Sequence, residues 1–506
     1  MDHVLGIDSS TTATKAVIVA RGGSGVEPGS VVGVGAAEYG FQTPAPGWSQ
    51  QDPALWWDAT QEAIRAALDD AGLGGDAIAA VGLTGQMHGS VLLDADGDVV
   101  RPALLWNDQR TAAQCDDIRT RVGSRRLVEL TGNDALNGFT APKLLWVRDN
   151  EPDAWRRVEH VLLPKDYVRY RLTRMLATDM ADASGTLLLS VAQRTWSTEV
   201  LQALDLDPSM LPELFEGPAI TGTVTAAAAA ATGLRPGTSV VAGGGDQAAN
   251  AVGVGAVSAD VGALSLGTSG VVFVPTDRPV VEKHGRIHSF CHAVPGMWHV
   301  MGVMLSAAGS LRWYRDTLAP GADFSDLVAE AALVSPGSDG LLFLPYLTGE
   351  RTPHADPAAR GGFLGLTVRH TRAHMTRSVL EGVAFGMRDG LEVMRAAGVD
   401  TPSHFRISGG GTKSSLWTQI LADILDVELT ATTTSEGAAY GAAVLAATGA
   451  QWYSSVAEAT DALVSTGTST IPADAPHYAQ TYELYRRMYP LLAPEYPAWP
   501  SSVGSS

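Results

Sequence analysis

Short apolar runs broken by polar turns set the opening pattern of the chain. Val4 to Ile7 reads as a strand, Asp8 to Thr14 as a polar turn, and Ala16 to Ala20 as a second strand. Together they predict a hairpin with one carboxylate and several hydroxyls at its tip. The design returns near the middle: strand Ala263 to Leu266, turn Gly267 to Gly270, strand Val271 to Val274. Two matching hairpins, one in each half, predict two similar domains facing each other.

Helical signals alternate with these strands. "AVGLTGQ" reads as a buried strand running into a loop, and "DPALWWDATQEAIRAALDDAG" as a capped amphipathic helix ending at Gly72. "SSLWTQILADIL" puts Leu416, Ile420 and Ile424 on one helical face, extended by Leu421 and Leu425. The mixture predicts an α/β fold. "TAAAAAATG" predicts a short surface helix before the domain junction, because alanine is the best helix former. The tail, "EYPAWPSSVGSS", is rich in Pro and Ser and is expected to fray.

Composition narrows the function. A chain of 506 residues predicts two or more domains. With 45% hydrophobic and 18% charged residues it is a folded globular protein. The net charge of −19 argues against nucleic acid as a partner, because a duplex rewards clustered Lys and Arg. A local nest of backbone N–H groups can still bind phosphate in an acidic protein. Cys115 and Cys291 fit no metal spacing and read as reduced core thiols. The start, "MDHVLGIDSS", lacks the basic and apolar regions of a signal peptide. No run approaches the ~20 apolar residues that span a bilayer. A soluble cytoplasmic protein with no membrane partner is expected.

Five stretches carry candidate chemistry. In "GIDSSTTATK", Asp8 could hold Mg²⁺ through water while turn amides reach a phosphate, or the stretch could be a plain Asx turn. In "SLGTSG", glycines allow close approach to an anion and Thr268 and Ser269 add donors; a tight turn is the alternative. "ISGGGTKSSLW" is either a nucleotide cradle at a helix N-terminus or a sharp strand-to-helix turn. "TGQMHGS" and "LLWNDQR" set Gln86, His88, Asn107 and Asp108 among apolar strand ends, which suits a polyhydroxylated ligand, although His88 could be a core histidine. In "GGGDQAAN", Asp246 either caps the next helix or accepts the proton of a hydroxyl as a phosphoryl group arrives.

The chain resembles the FGGY family of carbohydrate kinases, within the actin-like ATPase superfamily, from about Val4 to about Tyr489. The likeness rests on "GFTAPKLLWVRDN" (138–150) and "GGFLGLTVRHTRAHMTRSVLE" (361–381), with "LLPKDYVRYRLT", "TDMADASGT", "LPYLTGERTPH" and "EGAAYGAA" in support. It implies two ribonuclease-H-like domains around a cleft that closes on substrate: a sugar-binding domain at 1–247, an ATP-binding domain at 248–490, and a frayed tail at 491–506. It implies ATP and Mg²⁺, and a homodimer. The "GQMHG" and "WNDQR" pair points within the family to D-xylulose, phosphorylated at its 5-hydroxyl. By resemblance Met87 and His88 touch the ketose, and Gln86, Trp106, Asn107 and Asp108 line the same pocket. Asp246 matches the catalytic base and Asp8 the carboxylate that organises Mg²⁺ and phosphate. Thr11, Thr12 and Lys15 belong to the first phosphate hairpin, and Gly267, Thr268 and Ser269 match the second. Gly409, Gly410, Gly411 and Lys413 match the adenosine loop.

Three positions depart from the family pattern: Ser10, Ala13 and Arg174 each stand where glycine is frequent. With Ser10, the first hairpin should approach phosphate less closely or use the Ser10 hydroxyl. Other readings are a different ketopentose, a polyol or a sugar acid as acceptor, an actin-like nucleotide-switched binding protein, and an inactive sugar sensor.

Overall fold

The computed structural model describes residues 1–23, 25–433 and 436–499. Its first sheet contains β1 (His3–Ser9), β2 (Ala13–Ala20), β3 (Val31–Glu38), β4 (Ile78–Gly85), β5 (Ile220–Thr223), β6 (Ser239–Val241) and the short β7 (Gly244–Gly245). Its second contains β8 (Val261–Leu266), β9 (Gly270–Thr276), β10 (His288–Cys291), β11 (Trp298–Met304), β12 (His404–Ser408), β13 (Glu428–Thr432) and β14 (Thr466–Thr470).

The two sheets share one plan. The first runs β3-β2-β1-β4-β6-β5, with β7 also on β4; the second runs β10-β11-β9-β8-β12-β13-β14. In each, an antiparallel hairpin (β1/β2, β8/β9) takes another antiparallel strand on one side (β3, β11). On its other side it takes two parallel strands (β4 and β6; β12 and β13) and then an antiparallel edge (β5; β14). This is the pair of similar domains that the hairpins predict, in the ribonuclease-H-like form that the family resemblance implies. The strands β1 and β2 run longer than the sequence reading, so Asp8 sits in β1 and the turn shrinks to Ser10–Thr12.

Helices form where capping and patterning agree. Helix α1 (Pro53–Ala71) starts with the Asp52 side chain accepting from the Ala54 amide and ends at Gly72 in the left-handed region. Its buried stripe, Trp56, Ile64 and Leu68 among them, covers the first sheet together with Leu172 of α2 (Pro164–Thr173). Helix α3 (Asp246–Gly253) leaves β7 directly. In the second half, α4 (Arg372–Ala396) and α5 (Ser415–Leu425) pack on the second sheet. On α5, Ile420, Leu421, Ile424 and Leu425 are buried as expected, while Leu416 is only half-buried and Trp417 takes its place in the core.

Helix α6 (Gly437–Gly449) follows the second domain's strand β13 in sequence yet packs on the first sheet. It is buried from Ala439 to Ala447, which accounts for its Ala and Gly content. Gly6 and Gly82 lie against its backbone, and Gly441 and Gly253 let α6 and α3 cross at backbone contact. The chain therefore returns across the junction, and the two domains share the α3–α6 crossing.

Two tail and linker expectations are corrected. The alanine run forms a helix at Ala226–Thr232 with Thr225 as its cap, but it is not purely a surface element: Ala228, Ala229 and Thr232 are buried, two of them in the core beneath α1. Residues 491–499 do not fray. Helix α7 (Pro476–Leu492) leads into a short turn whose Tyr496 is 1% exposed and donates its hydroxyl to the Arg360 carbonyl at 3.3 Å. The remainder of that tail, 500–506, lies outside the described residues. Cys115 and Cys291 are free and buried, as expected.

Candidate active site

The β1–β2 hairpin, the β4 exit and the head of α3 converge because β1 and β4 run parallel, with Asp8 opposite Thr84, and β7 pairs with the end of β4 at Gly244–Thr84 and Gly245–Gly85. Asp246 opens α3, but the N-cap is Gly245 and no side chain caps the helix. The capping alternative for Asp246 is thereby removed. Its Oδ1 accepts from Gln247 Nε2 at 3.3 Å, and burial pushes its carboxyl up to about 6. Asp8 is pushed up to about 7, chiefly by burial and then by the Asp246 charge, with Lys15 opposing. Its Oδ1 is buried with no hydrogen-bond partner. Two carboxylates thus face one space, with pKa values lifted toward neutrality as acid–base sites require.

The glycines before Asp246 serve packing. Gly243 has φ +81° and its Cα faces the Leu83 carbonyl, and a side chain at Gly245 would strike Met87 Cγ at 2.8 Å. Their room is taken by Leu83 and Met87. Met87 is buried against Gly245.

His88 adopts φ +68°, unusual for a residue with a Cβ. Its carbonyl accepts from Lys143 Nζ at 2.8 Å and Thr140 Oγ1 at 3.1 Å, which holds that conformation. Its Nδ1 lies 2.7 Å from the Gly185 carbonyl. A carbonyl only accepts, so Nδ1 carries the proton and Nε2 presents a lone pair. Burial lowers the imidazole to about 3, so it stays neutral. Lys143, fully buried and also bonded to the Gly138 carbonyl at 2.6 Å, is lowered to about 7 by the same cause. Sequence reasoning passed over Lys143, although it is the lone cation in the apolar start of "GFTAPKLLW".

The remaining pocket candidates divide. Asn107 Oδ1 is buried and unpartnered. Trp106 is 44% exposed and donates from Nε1 to Thr11 Oγ1 at 3.0 Å. Gln86 and Asp108 are both engaged by neighbouring residues. Gln86 is engaged by the Thr11 hydroxyl at 3.2 Å and donates to Gln51 Oε1 at 3.2 Å. Asp108 accepts from the Ser49 and Arg110 amides at 2.6 and 2.9 Å and pairs with the Arg110 guanidinium, itself stacked over Trp48.

The first hairpin keeps a negative φ at Ser10, whose hydroxyl donates to the Ala13 carbonyl at 2.8 Å and is thereby occupied in closing the turn. Thr12 is exposed at the tip. Lys15 Nζ pairs with Glu436 Oε2 at 2.9 Å, tying the hairpin to the start of α6. Arg174 takes φ +64° and ends α2 as the glycine it replaces would.

Across the cleft, the second hairpin and the glycine loop share a cavity of about 720 Å³. Gly267, Thr268, Gly410, Gly411 and Lys413 line it with Arg312, Phe324 and Trp417. The Thr268 carbonyl accepts from the Ala307 amide at 2.8 Å, which fixes the turn against the helix Ala308–Leu318. Gly409, at φ +100°, abuts the Leu266 carbonyl and shapes the wall; neither it nor Ser269 lines the cavity. The loop leads into α5, whose amides are capped by Ser414. Among the described residues no group of three or more His, Cys, Asp or Glu forms a metal cage, and no helix is long and apolar enough to cross a membrane.

Comparison with known proteins agrees with this arrangement. The N-terminal domain of the FGGY family of carbohydrate kinases matches residues 3–253, and the C-terminal domain of that family matches residues 262–450. The xylulose kinase of Escherichia coli K12 is 44% identical over 97% of this chain and 99% of its own length. The crystal structure of a xylulose kinase from Brucella ovis superimposes with a TM-score of 0.89 at 38% identity, covering 97% of this chain and 99% of the other. A gluconate kinase from Lactobacillus acidophilus superimposes with a TM-score of 0.92 at 26% identity, covering 98% and 99%.

Proposed function

The chain belongs to the FGGY family of carbohydrate kinases, and within that family we propose that it transfers the γ-phosphoryl group of ATP to the 5-hydroxyl of D-xylulose. The observation that carries this reading is Asp246: it caps no helix, its carboxyl is raised toward neutrality, and its charge acts on the orphaned carboxylate of Asp8. Its relatives that bear the name xylulose kinase support the choice of sugar.

The sugar sits in the first domain, with the neutral Nε2 of His88 and Oδ1 of Asn107 accepting from its hydroxyls. ATP lies in the second domain, its adenosine in the 720 Å³ cavity and its phosphates directed at the two hairpin tips. Asp246 orients the 5-hydroxyl and takes its proton late, because phosphoryl transfer has a loose transition state in which positioning and charge neutralisation dominate. The unpartnered Oδ1 of Asp8 fits an oxygen-seeking cation such as Mg²⁺, which Asp8 would hold through water. When bound, Mg²⁺ neutralises charge on the phosphate oxygens. Closure of the domains excludes the water that would otherwise hydrolyse ATP. A cytoplasmic location, where ATP is supplied, and a homodimer belong to the same proposal.

The test is ADP release with MgATP against D-xylulose, D-ribulose, L-ribulose, glycerol, D-gluconate and no sugar. By far the highest kcat/KM is expected for D-xylulose. The fold shared with the gluconate kinase makes a sugar acid the second reading, and preference for D-gluconate would establish it instead. No stimulation by any of them would overturn the kinase assignment.

A further inference from the structure

Arginine in a folded interior normally has an anion or carbonyl to bond, because burying an unpaired guanidinium is costly. Among the described residues, five arginines make no side-chain hydrogen bond, ion pair or ring contact: Arg65, Arg312, Arg351, Arg369 and Arg487. Four of these are exposed; Arg351 is half-buried.

Its loop is held firmly. Glu350 beside it does not pair with it: Oε1 of Glu350 accepts from the Leu305 amide at 2.9 Å and from the Arg351 amide at 2.7 Å. Thr352 exchanges backbone and hydroxyl bonds with Val303 at 3.0 and 3.1 Å and donates to the Arg286 carbonyl at 3.0 Å. The guanidinium, which belongs to the second domain, feels the Glu350 charge but makes no hydrogen bond or ion pair. The surface it approaches belongs to the sugar site. There His88 and Phe139 of the first domain meet His288 and Phe290 of the second, with His88–Phe139 centroids 4.8 Å apart and Phe139–His288 centroids 5.8 Å apart. Thr352 ties the loop to Arg286, two residues before His288, and to Val303 on the strand whose Met301 pairs with His288, so Arg351 lies beside the His88–His288 cluster, whose imidazoles its charge also helps keep neutral. Its loop therefore stands on the His88–His288 side of the pocket.

We propose that Arg351 binds the acceptor sugar at its C1–C2 end, opposite the hydroxyl that is phosphorylated, so that bound sugar bridges the two domains. The assignment rests on the D-xylulose reading. Its planar fork of N–H donors suits the adjacent C1 hydroxyl and C2 carbonyl oxygens. A first-domain sugar gripped by a second-domain arginine favours the closed cleft, which couples acceptor binding to the assembly of the catalytic site.

Arg351→Ala and Arg351→Lys test this, assayed with D-xylulose, 1-deoxy-D-xylulose and D-gluconate, with melting temperature in parallel. Arg351→Ala should raise KM for D-xylulose at least about tenfold, the loss expected of a hydrogen bond from a charged group. It should leave KM for ATP and the melting temperature near wild type. Arg351→Lys should recover part of the loss, and the penalty should shrink on 1-deoxy-D-xylulose, which lacks one of the two oxygens. An unchanged sugar KM overturns the assignment, as does an equal penalty on both sugars and ATP with a lowered melting temperature. If the wild-type enzyme prefers D-gluconate and Arg351→Ala abolishes that preference, the D-xylulose reading fails while Arg351 remains an acceptor-binding residue.

Discussion

The β1–β2 and β8–β9 hairpins are built to one plan and do different work. Each ends in a three-residue turn, and each starting strand runs parallel to the next strand in its sheet. Two residues before the turn the first carries Asp8, opposite Thr84; the second carries Ser265, opposite Ser408. The first tip is braced by side chains, with Thr11 between Trp106 and Gln86, and the second by backbone, with Thr268 on the amide of Ala307. In the proposed reading the scaffold alone yields an anion cradle. Chemistry appears only where the sheet's parallel edge brings a carboxylate from the hairpin beside one from the following helix, as Asp8 and Asp246 are.

The sharpest way to break that contrast is Asp246→Asn. It should lower kcat about 10²–10⁴-fold, the usual range for a general base, while calorimetry still finds sugar bound. Asp8→Asn should cost less, about 10²-fold in kcat, and should raise the Mg²⁺ concentration needed for half-maximal rate.

Moving the charge to the other hairpin sharpens the comparison from the opposite side. Ser265→Asp should not rescue Asp8→Asn; it should raise KM for ATP about tenfold by repelling phosphate. In pH profiles, kcat/KM should fall as pH drops through about 6 to 7, where Asp246 and Asp8 take up protons and the base is lost.

The smallest effect is on stability. Both carboxyls have folded pKa values above their ordinary 3.8, so the folded state binds more protons between about 4 and 7. Stability from these groups is full at low pH and is lost as pH rises through 6 and 7. Asp8→Asn should therefore melt a few degrees higher than wild type at pH 8 and no higher at pH 4, measured by scanning calorimetry.

Much of this was legible in the residues. Strand alternation and repeated turn chemistry exposed the paired domains, Asp8, Asp246 and His88 stood out because polar groups at apolar strand ends are rare, and Met87 came only from the family resemblance. What stayed hidden depends on distance in the chain. Nothing local tells that Asp108 is saturated by Ser49 and Arg110, that Gln86 braces Thr11, or that Lys143 grips the His88 carbonyl. The return of α6 to the first sheet was equally invisible, since an Ala- and Gly-rich helix looks the same against either sheet. Arg351 sits in "GERTPH", a stretch noted for its likeness alone, and only its missing partner marks it.

The most direct measurement is the position of the phosphate in the product, read by ¹³C–³¹P coupling after the wild-type enzyme has consumed D-xylulose and MgATP. With the acceptor hydroxyl at Asp246 and the ketone end toward His88 and Arg351, coupling is expected at C5 and C4. Coupling at C1 would mean that the sugar lies the other way round, and would contradict the site as built here.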